Sequence, residues 1–249
     1  MKKVLGLVIL VVSLQAQEVY ATFDVYAKKS ANLAFDSSGT VNKIYVGVST
    51  EVTKGTRLVN LNNDDLKASL NIAQKVIDNV KVTLKYAKKD YQRQLKIKNI
   101  IDASKFDKYE LNYERAKVAL SQARANYKYK KTLLSKTTLY APFDGTIFEK
   151  SVEVGDVVNG MMLRTIYKIQ STTERKLILA FDQKYHSIVK VGNTFKYTLD
   201  GAENNYEGTI SKIYPSVNRK NRKIIAEVNA KDFMVGLFGE GYIIVPDKE

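Results

Sequence analysis

Apolar positions fall into three regimes along the chain, and each predicts its own kind of element. In the first, Leu66, Leu70, Ala73, Ile77, Val80, Leu84, Ala87 and Tyr91 recur at alternating spacings of four and three. After a break at residues 94–102 the spacing returns in Phe106, Tyr109, Tyr113, Ala116, Leu120, Ala123, Tyr127 and Leu134, with Lys130 interrupting one seam position. A seam of that period, sustained over several heptads, predicts two helices packed as an antiparallel coiled coil. Residues 62–65 offer N-cap candidates and acidic groups that favour a helix start, and Asp102 or Ser104 can cap the returning arm. At about 1.5 Å per residue the first seam is roughly 38 Å long. Such a rod projects from its base, and two helices cannot hide its whole surface.

The second regime flanks the first as a repeat. Gly39-Thr40-Val41 returns as Gly145-Thr146-Ile147, and Val46, Val48 and Val52 match Val152, Val154 and Val158 in the same register. A glycine follows each copy (Gly55 and Gly160), then an apolar segment, residues 58–61 and 163–166. β-Branched residues alternating with turn formers predict short strands. Neither copy can bury its apolar face alone, so the two are expected to form one sandwich, interrupted by the hairpin.

From about Gln170 the pattern is β throughout. Residues 176–181, 194–199, 206–214, 222–229 and 242–245 are strand candidates, with turn signals at residues 191–193, Asp200-Gly201 and Val217-Asn218. Asp182 is placed to cap a short helix ending near Val189. Five or six strands with one helix predict a small closed barrel. The expected fold is therefore mainly β with a long α-helical hairpin: a split sandwich interrupted by an antiparallel coiled coil, followed by a small β-barrel.

Composition narrows the setting. The 249 residues include no cysteine and three prolines, and carry a net charge of +14. Disulfides, thiolate metal sites, cysteine nucleophiles and a lipid-modified N-terminal cysteine are thereby excluded. Lys2 and Lys3, an apolar run at residues 4–14, and Ala16 or Ala21 as a small residue for cleavage read as an export signal, cleaved or kept as an anchor. Residues 63–136 hold 18 Lys and Arg against 8 Asp and Glu, a net of +10, so the excess sits on the hairpin. That surface suits anionic headgroups, cell-wall polymer or an acidic protein. The export signal argues against nucleic acid.

Catalytic chemistry finds no pattern here. His186 is the only histidine, so neither a His-rich metal site nor a Ser–His–Asp triad is visible. Asp64 and Asp65 are better read as helix-start residues than as paired acid and base. Met161-Met162 suggests soft-metal handling, but a place in a strand makes core packing the stronger expectation. The loop at residues 218–223 is expected to be a solvated basic turn.

The arrangement resembles the periplasmic adaptor, or membrane fusion protein, family of tripartite efflux systems, with its split lipoyl-like domain. The first half-motif runs from Leu33 through Gly39-Thr40-Val41 to Gly55-Thr56-Arg57-Leu58. The second is more specific: Ala141-Pro142-Phe143-Asp144-Gly145-Thr146-Ile147, then Val152-Glu153-Val154-Gly155-Asp156-Val157-Val158. Residues 235–241 are similar to the Gly-Met-Phe stretch of the family's barrel. The resemblance implies this division: signal 1–16, a membrane-proximal remnant 17–30, lipoyl-like halves 31–62 and 137–169 around a hairpin 63–136, and a barrel 170–249.

It further implies a non-catalytic, cofactor-free protein of the periplasm, associated with the inner membrane. It would link an RND-type (resistance-nodulation-division) efflux transporter to an outer-membrane channel, as a homo-oligomeric ring commonly of six, with peripheral membrane contact. The family's tip carries an Arg, a Leu four on and a Ser seven beyond. Alignment on Ile101 and Phe106-Asp107 puts the Leu at Leu95, while Tyr91 and Asp102 occupy the other two positions. Arg93 and Ser104, each two residues away, are candidate substitutes, and Lys98 lies between them. The partner-binding set is thus Leu95, Tyr91, Arg93, Lys98, Asp102 and Ser104. Competing readings are an adaptor of an ABC-type exporter, an exported coiled-coil scaffold, and a biotin or lipoate carrier. A carrier needs a modifiable lysine in the turn that the hairpin here replaces.

Overall fold

Hydrophobic alternation in the last third of the chain closes a sheet on itself, but one strand comes from the other end of the sequence. The computed structural model describes residues 17–162 and 164–246; the expected signal at 1–16 lies outside them. Two compact units are present, one of residues up to 31 and from 170 on, the other of residues 32–169. In chain order the elements are β1 (Gln17–Ala27), β2 (Ser30–Leu33), β3 (Gly39–Ile44), β4 (Glu51–Val52), β5 (Arg57–Leu61), α1 (Asp64–Leu95), α2 (Ala103–Ser135), β6 (Thr138–Tyr140), β7 (Gly145–Lys150), β8 (Val157–Val158) and β9 (Tyr167–Gln170). Then follow β10 (Glu174–Asp182), a 3-10 turn (Gln183–Tyr185), β11 (Thr194–Leu199), β12 (Asn205–Asn218), β13 (Lys223–Lys231) and β14 (Phe238–Val245).

The barrel closes in the order β1-β10-β13-β12-β11-β14. Val19, Ala21, Phe23 and Val25 point inward from β1, against Leu177, Leu179 and Phe181 of β10 and Ile224, Ala226 and Val228 of β13. Of residues 17–30, expected as a membrane-proximal remnant, residues 17–27 are thus the sixth barrel strand. The correction has a physical cause: without β1, β10 and β14 would each expose an unpaired edge. Phe23, Phe195 and Tyr197 meet inside at centroid distances of 5.2–5.8 Å. Space for them comes from Gly239, where a Cβ would lie 2.2 Å from the Thr198 carbonyl and 2.7 Å from the Phe23 ring.

Three further expectations are corrected. The helix after Asp182 shrinks to the 3-10 turn, although Asp182 does cap it, accepting from the Lys184 amide at 2.9 Å. Val217-Asn218 ends strand β12 and does not break it. Met161 and Met162 lie in a turn, 93% and 71% exposed, because the second copy's strand ends before them.

In the second unit the two half-motifs exchange strands. Gly39 pairs with Val158 and Thr40 with Val157, while Gly145 pairs with Val52 and Thr146 with Glu51. Single hydrogen bonds repeat with the copies swapped. The Val41 amide donates to the Asp156 carbonyl (2.8 Å) and the Ile147 amide to that of Thr50 (3.0 Å). Likewise the Gly155 amide donates to the Val41 carbonyl (2.9 Å) and the Ser49 amide to that of Ile147 (2.7 Å). Each copy completes the other's sheet. The resulting sheets run β2-β9-β7-β4 and β6-β5-β3-β8, around a core that includes Val41, Val52, Leu58, Leu61, Ile147, Val158 and Tyr167. Matched Val48 and Val154 are both exposed.

Between β5 and β6 stand α1 and α2, of 32 and 33 residues, or roughly 48 Å each. Ala73, Ile77, Ala116, Leu120 and Ala123 bury the seam; the alanines let the helices approach closely. At the base the Asn62 side chain accepts from the Asp64 amide (3.2 Å), and Asn63 Nδ2 donates to Thr137 Oγ1 (2.9 Å). The second of these ties the start of the first helix to the chain just past the second.

The hairpin tip as a candidate docking surface

Toward its far end the seam changes from aliphatic to aromatic. Tyr91 of α1 stacks on Tyr113 of α2 at 5.2 Å and 11°, and meets the buried Phe106 at 5.8 Å. These rings close the seam at this end by stacking. Lys98 folds back so that Nζ lies 4.5 Å over the Phe106 ring, a cation–π contact. Asp102 caps α2, its Oδ1 accepting from the Lys105 amide at 3.1 Å. Here the peptide carbonyl of Asp102 also accepts from the Phe106 amide (3.1 Å). The turn is therefore built by residues the sequence had marked for docking.

What remains facing outward is different. Leu95, Ile97 and Ile100 are 47%, 42% and 86% exposed, and Lys96 and Lys105 flank them, also exposed. Three exposed aliphatic side chains between residues 95 and 100, with lysines among them, make an apolar crown at the turn and a candidate contact surface. Of the sequence-derived set, Leu95 belongs to this crown. Arg93 is exposed but ion-paired with Asp90 one turn earlier. Ser104 is exposed in the first turn of α2. Tyr91 is half-buried in the aromatic seam, and Lys98 and Asp102 support the turn. Ile97 and Ile100 were missed; two isoleucines where the heptad has lapsed, in a stretch that needs no core, were the available signal.

Elsewhere the candidate chemistry disperses. His186 is exposed beside the Gln183 carbonyl (3.2 Å). Asp64 pairs with Lys67 at 3.1 Å in the first helical turn. Among the described residues no group of three His, Cys, Asp or Glu is placed to hold a metal ion, and no helix is long and apolar enough to cross a membrane.

The fold is shared with solved structures. MacA of Actinobacillus actinomycetemcomitans superposes with a TM-score of 0.75 at 19% identity, over 94% of this chain and 80% of that one. A membrane fusion protein of Streptococcus pneumoniae gives 0.73 at 15% identity, over 92% of this chain and the whole of the other. A MacA–MexA chimera bearing the Pseudomonas aeruginosa MexA α-hairpin gives 0.70 at 21%, over 94% and 84%. The chain has the membrane fusion protein fold.

No protein-family profile matches the chain. It is 24% identical over 195 residues to an uncharacterized protein of Haemophilus influenzae, covering 78% of this chain. The chain spans about half the length of that relative, 47%. In this membrane fusion fold the hairpin fills the β5–β6 connection where a carrier would present its lysine.

Proposed function

We propose that the chain is a non-catalytic periplasmic adaptor, joining an inner-membrane efflux transporter to an outer-membrane channel. The observation that carries this reading is the apolar crown of Leu95, Ile97 and Ile100 at the end of a rod whose seam is otherwise closed. On a membrane fusion fold, such a rod supplies reach and a contact point and needs no reacting group. The barrel would grip the transporter, the sandwiches would pack laterally into a ring of six, and the crowns would meet the channel. Energy would come from the transporter. Helices of 32 and 33 residues favour an RND-type pump over an ABC-type exporter of the type I secretion kind, whose adaptors carry longer hairpins.

The test is photo-crosslinking in living cells with the probe at Leu95, Ile97 or Ile100. Capture of an outer-membrane channel is expected, and Leu95→Asp is expected to abolish both capture and efflux while export and folding persist. Capture of cell-wall or soluble partners alone would turn the reading into an exported scaffold. Collapse of efflux on dissipating the proton gradient, with ATP held constant, separates the RND-type partner from the ABC-type one.

A further inference from the structure

One end of the barrel gathers cations that make no ion pair among the described residues. β1 begins there and β10 and β14 finish there, because Ala21 pairs with Phe181 and Gln17 with Val245. β12 and β13 meet at the same end, where Asn218 pairs with Lys223 and Lys223 with Asp182. The connections carry Lys184, Lys190, Arg219, Lys220, Arg222 and Lys223; all but the half-buried Lys223 are exposed. None of the six makes an ion pair among the described residues. Among the described residues two carboxylates share this end, Glu18 and Asp182, both exposed.

Folding of the β12–β13 turn rests on other groups. Asn218 Oδ1 accepts from the Lys220 amide (3.0 Å), Asn221 Oδ1 from the Lys223 amide (3.1 Å), and the Arg222 amide donates to the Asn218 carbonyl (2.8 Å). The two asparagines make the turn. Arg222 sits at φ 56°, in the left-handed region where Gly or Asn is less strained. Four cations within five residues also repel one another. The Arg222 carbonyl accepts from the Gln183 amide (3.1 Å), so the backbone is held from within the chain. The repulsion among the four side chains has no ion pair to offset it among the described residues, which points to an anionic ligand outside the chain.

The surroundings say which ligand. Val191 and Val217 are exposed beside these cations, and Lys184 lies over the Tyr185 ring at 4.8 Å. Small aliphatic side chains among cations suit a surface with phosphates outside and hydrocarbon beneath. We propose that this end of the barrel docks on the anionic phospholipid headgroups of a membrane surface. Cations within a Debye length of such a surface are attracted to it cumulatively.

The full chain is sedimented with phosphatidylcholine vesicles and with vesicles containing about one-third phosphatidylglycerol. Binding to the anionic vesicles is expected to fall by roughly fivefold per cation removed, hence about a hundredfold in R219Q/K220Q/R222Q, with binding to neutral vesicles unchanged. Arg222→Asn, which also relieves the backbone, should fold at least as well and bind about fivefold more weakly. R124Q/K128Q/K131Q removes three exposed cations from α2 and should bind as the parent does. The proposal is overturned if the barrel variant keeps its binding, if the α2 variant loses as much, or if an oligonucleotide outcompetes the vesicles at the same end. Vesicle binding is read without transporter or channel, so its failure leaves the proposed tip contact untouched.

Discussion

In the barrel, every second residue along β1, β10 and the first part of β13 is buried, and the sheet has no free edge. In the hairpin, two helices of 32 and 33 residues bury only Ala73, Ile77, Phe106, Ala116, Leu120 and Ala123. Closure lets the barrel satisfy its own backbone and its own apolar face. The rod satisfies its backbone within each helix, so it stands with little core and leaves most of its side chains to whatever surrounds it. One region holds its shape by packing, and the other trades packing for reach.

The contrast predicts a graded series. Phe195→Ala opens a cavity between Phe23 and Tyr197 and should cost about 3–5 kcal/mol, seen as a large loss in the denaturant midpoint. Leu120→Ala truncates one of the two large buried aliphatics of the mid-shaft cluster, the other being Ile77, at the low end of the range for such truncations, about 2–3 kcal/mol. Hydrogen exchange should then rise in α1 and α2 while barrel amides keep their protection. Equal loss in both regions would mean that the two do not open independently.

The sandwich supplies two finer tests. Tyr167 is fully buried, donates to the Val46 carbonyl at 2.8 Å, and burial pushes its phenol up to about 12. A value above that of a free phenol, about 10, means that the folded state keeps this proton longer than the unfolded one. Its contribution is whole below pH about 10 and is lost as pH rises through about 12. Alkaline denaturation of Tyr167→Phe should lack that phase, at a neutral-pH cost of about 1–2 kcal/mol for the stranded carbonyl. Ser49 occupies the left-handed backbone (φ 63°) that the matching position of the second copy fills with Gly155 (φ 96°). Ser49→Gly should therefore stabilise by about 0.5–1 kcal/mol, read as a small rise in Tm. A fall would show that the hydroxyl contributes more than the backbone strain removes.

Much of this was legible beforehand, for identifiable reasons. The heptad seam is a local signal, and the helices begin and end within a residue or two of where it starts and lapses. The Val register of the two copies reports a shared geometry, and the strand exchange repeats it. Met161 and Met162 misled because an apolar type does not say on which side of a strand's end it falls. The docking set mixed turn builders with outward groups: Tyr91 and Asp102 occupy aligned positions, yet one closes the seam and the other caps a helix.

Periodicity was enough to establish a rod, a duplicated β-motif and a barrel, because helix and strand write their repeats into neighbouring residues. Two things needed the folded chain. Residues 17–27 alternate like any strand, and nothing local says that their partners are β10 and β14, more than half the chain away. Nor does composition tell a lysine that lies over a ring, such as Lys98, from an isoleucine such as Ile100 that faces solvent. Those choices depend on which backbone edges remain unpaired and which faces remain uncovered once everything else has packed.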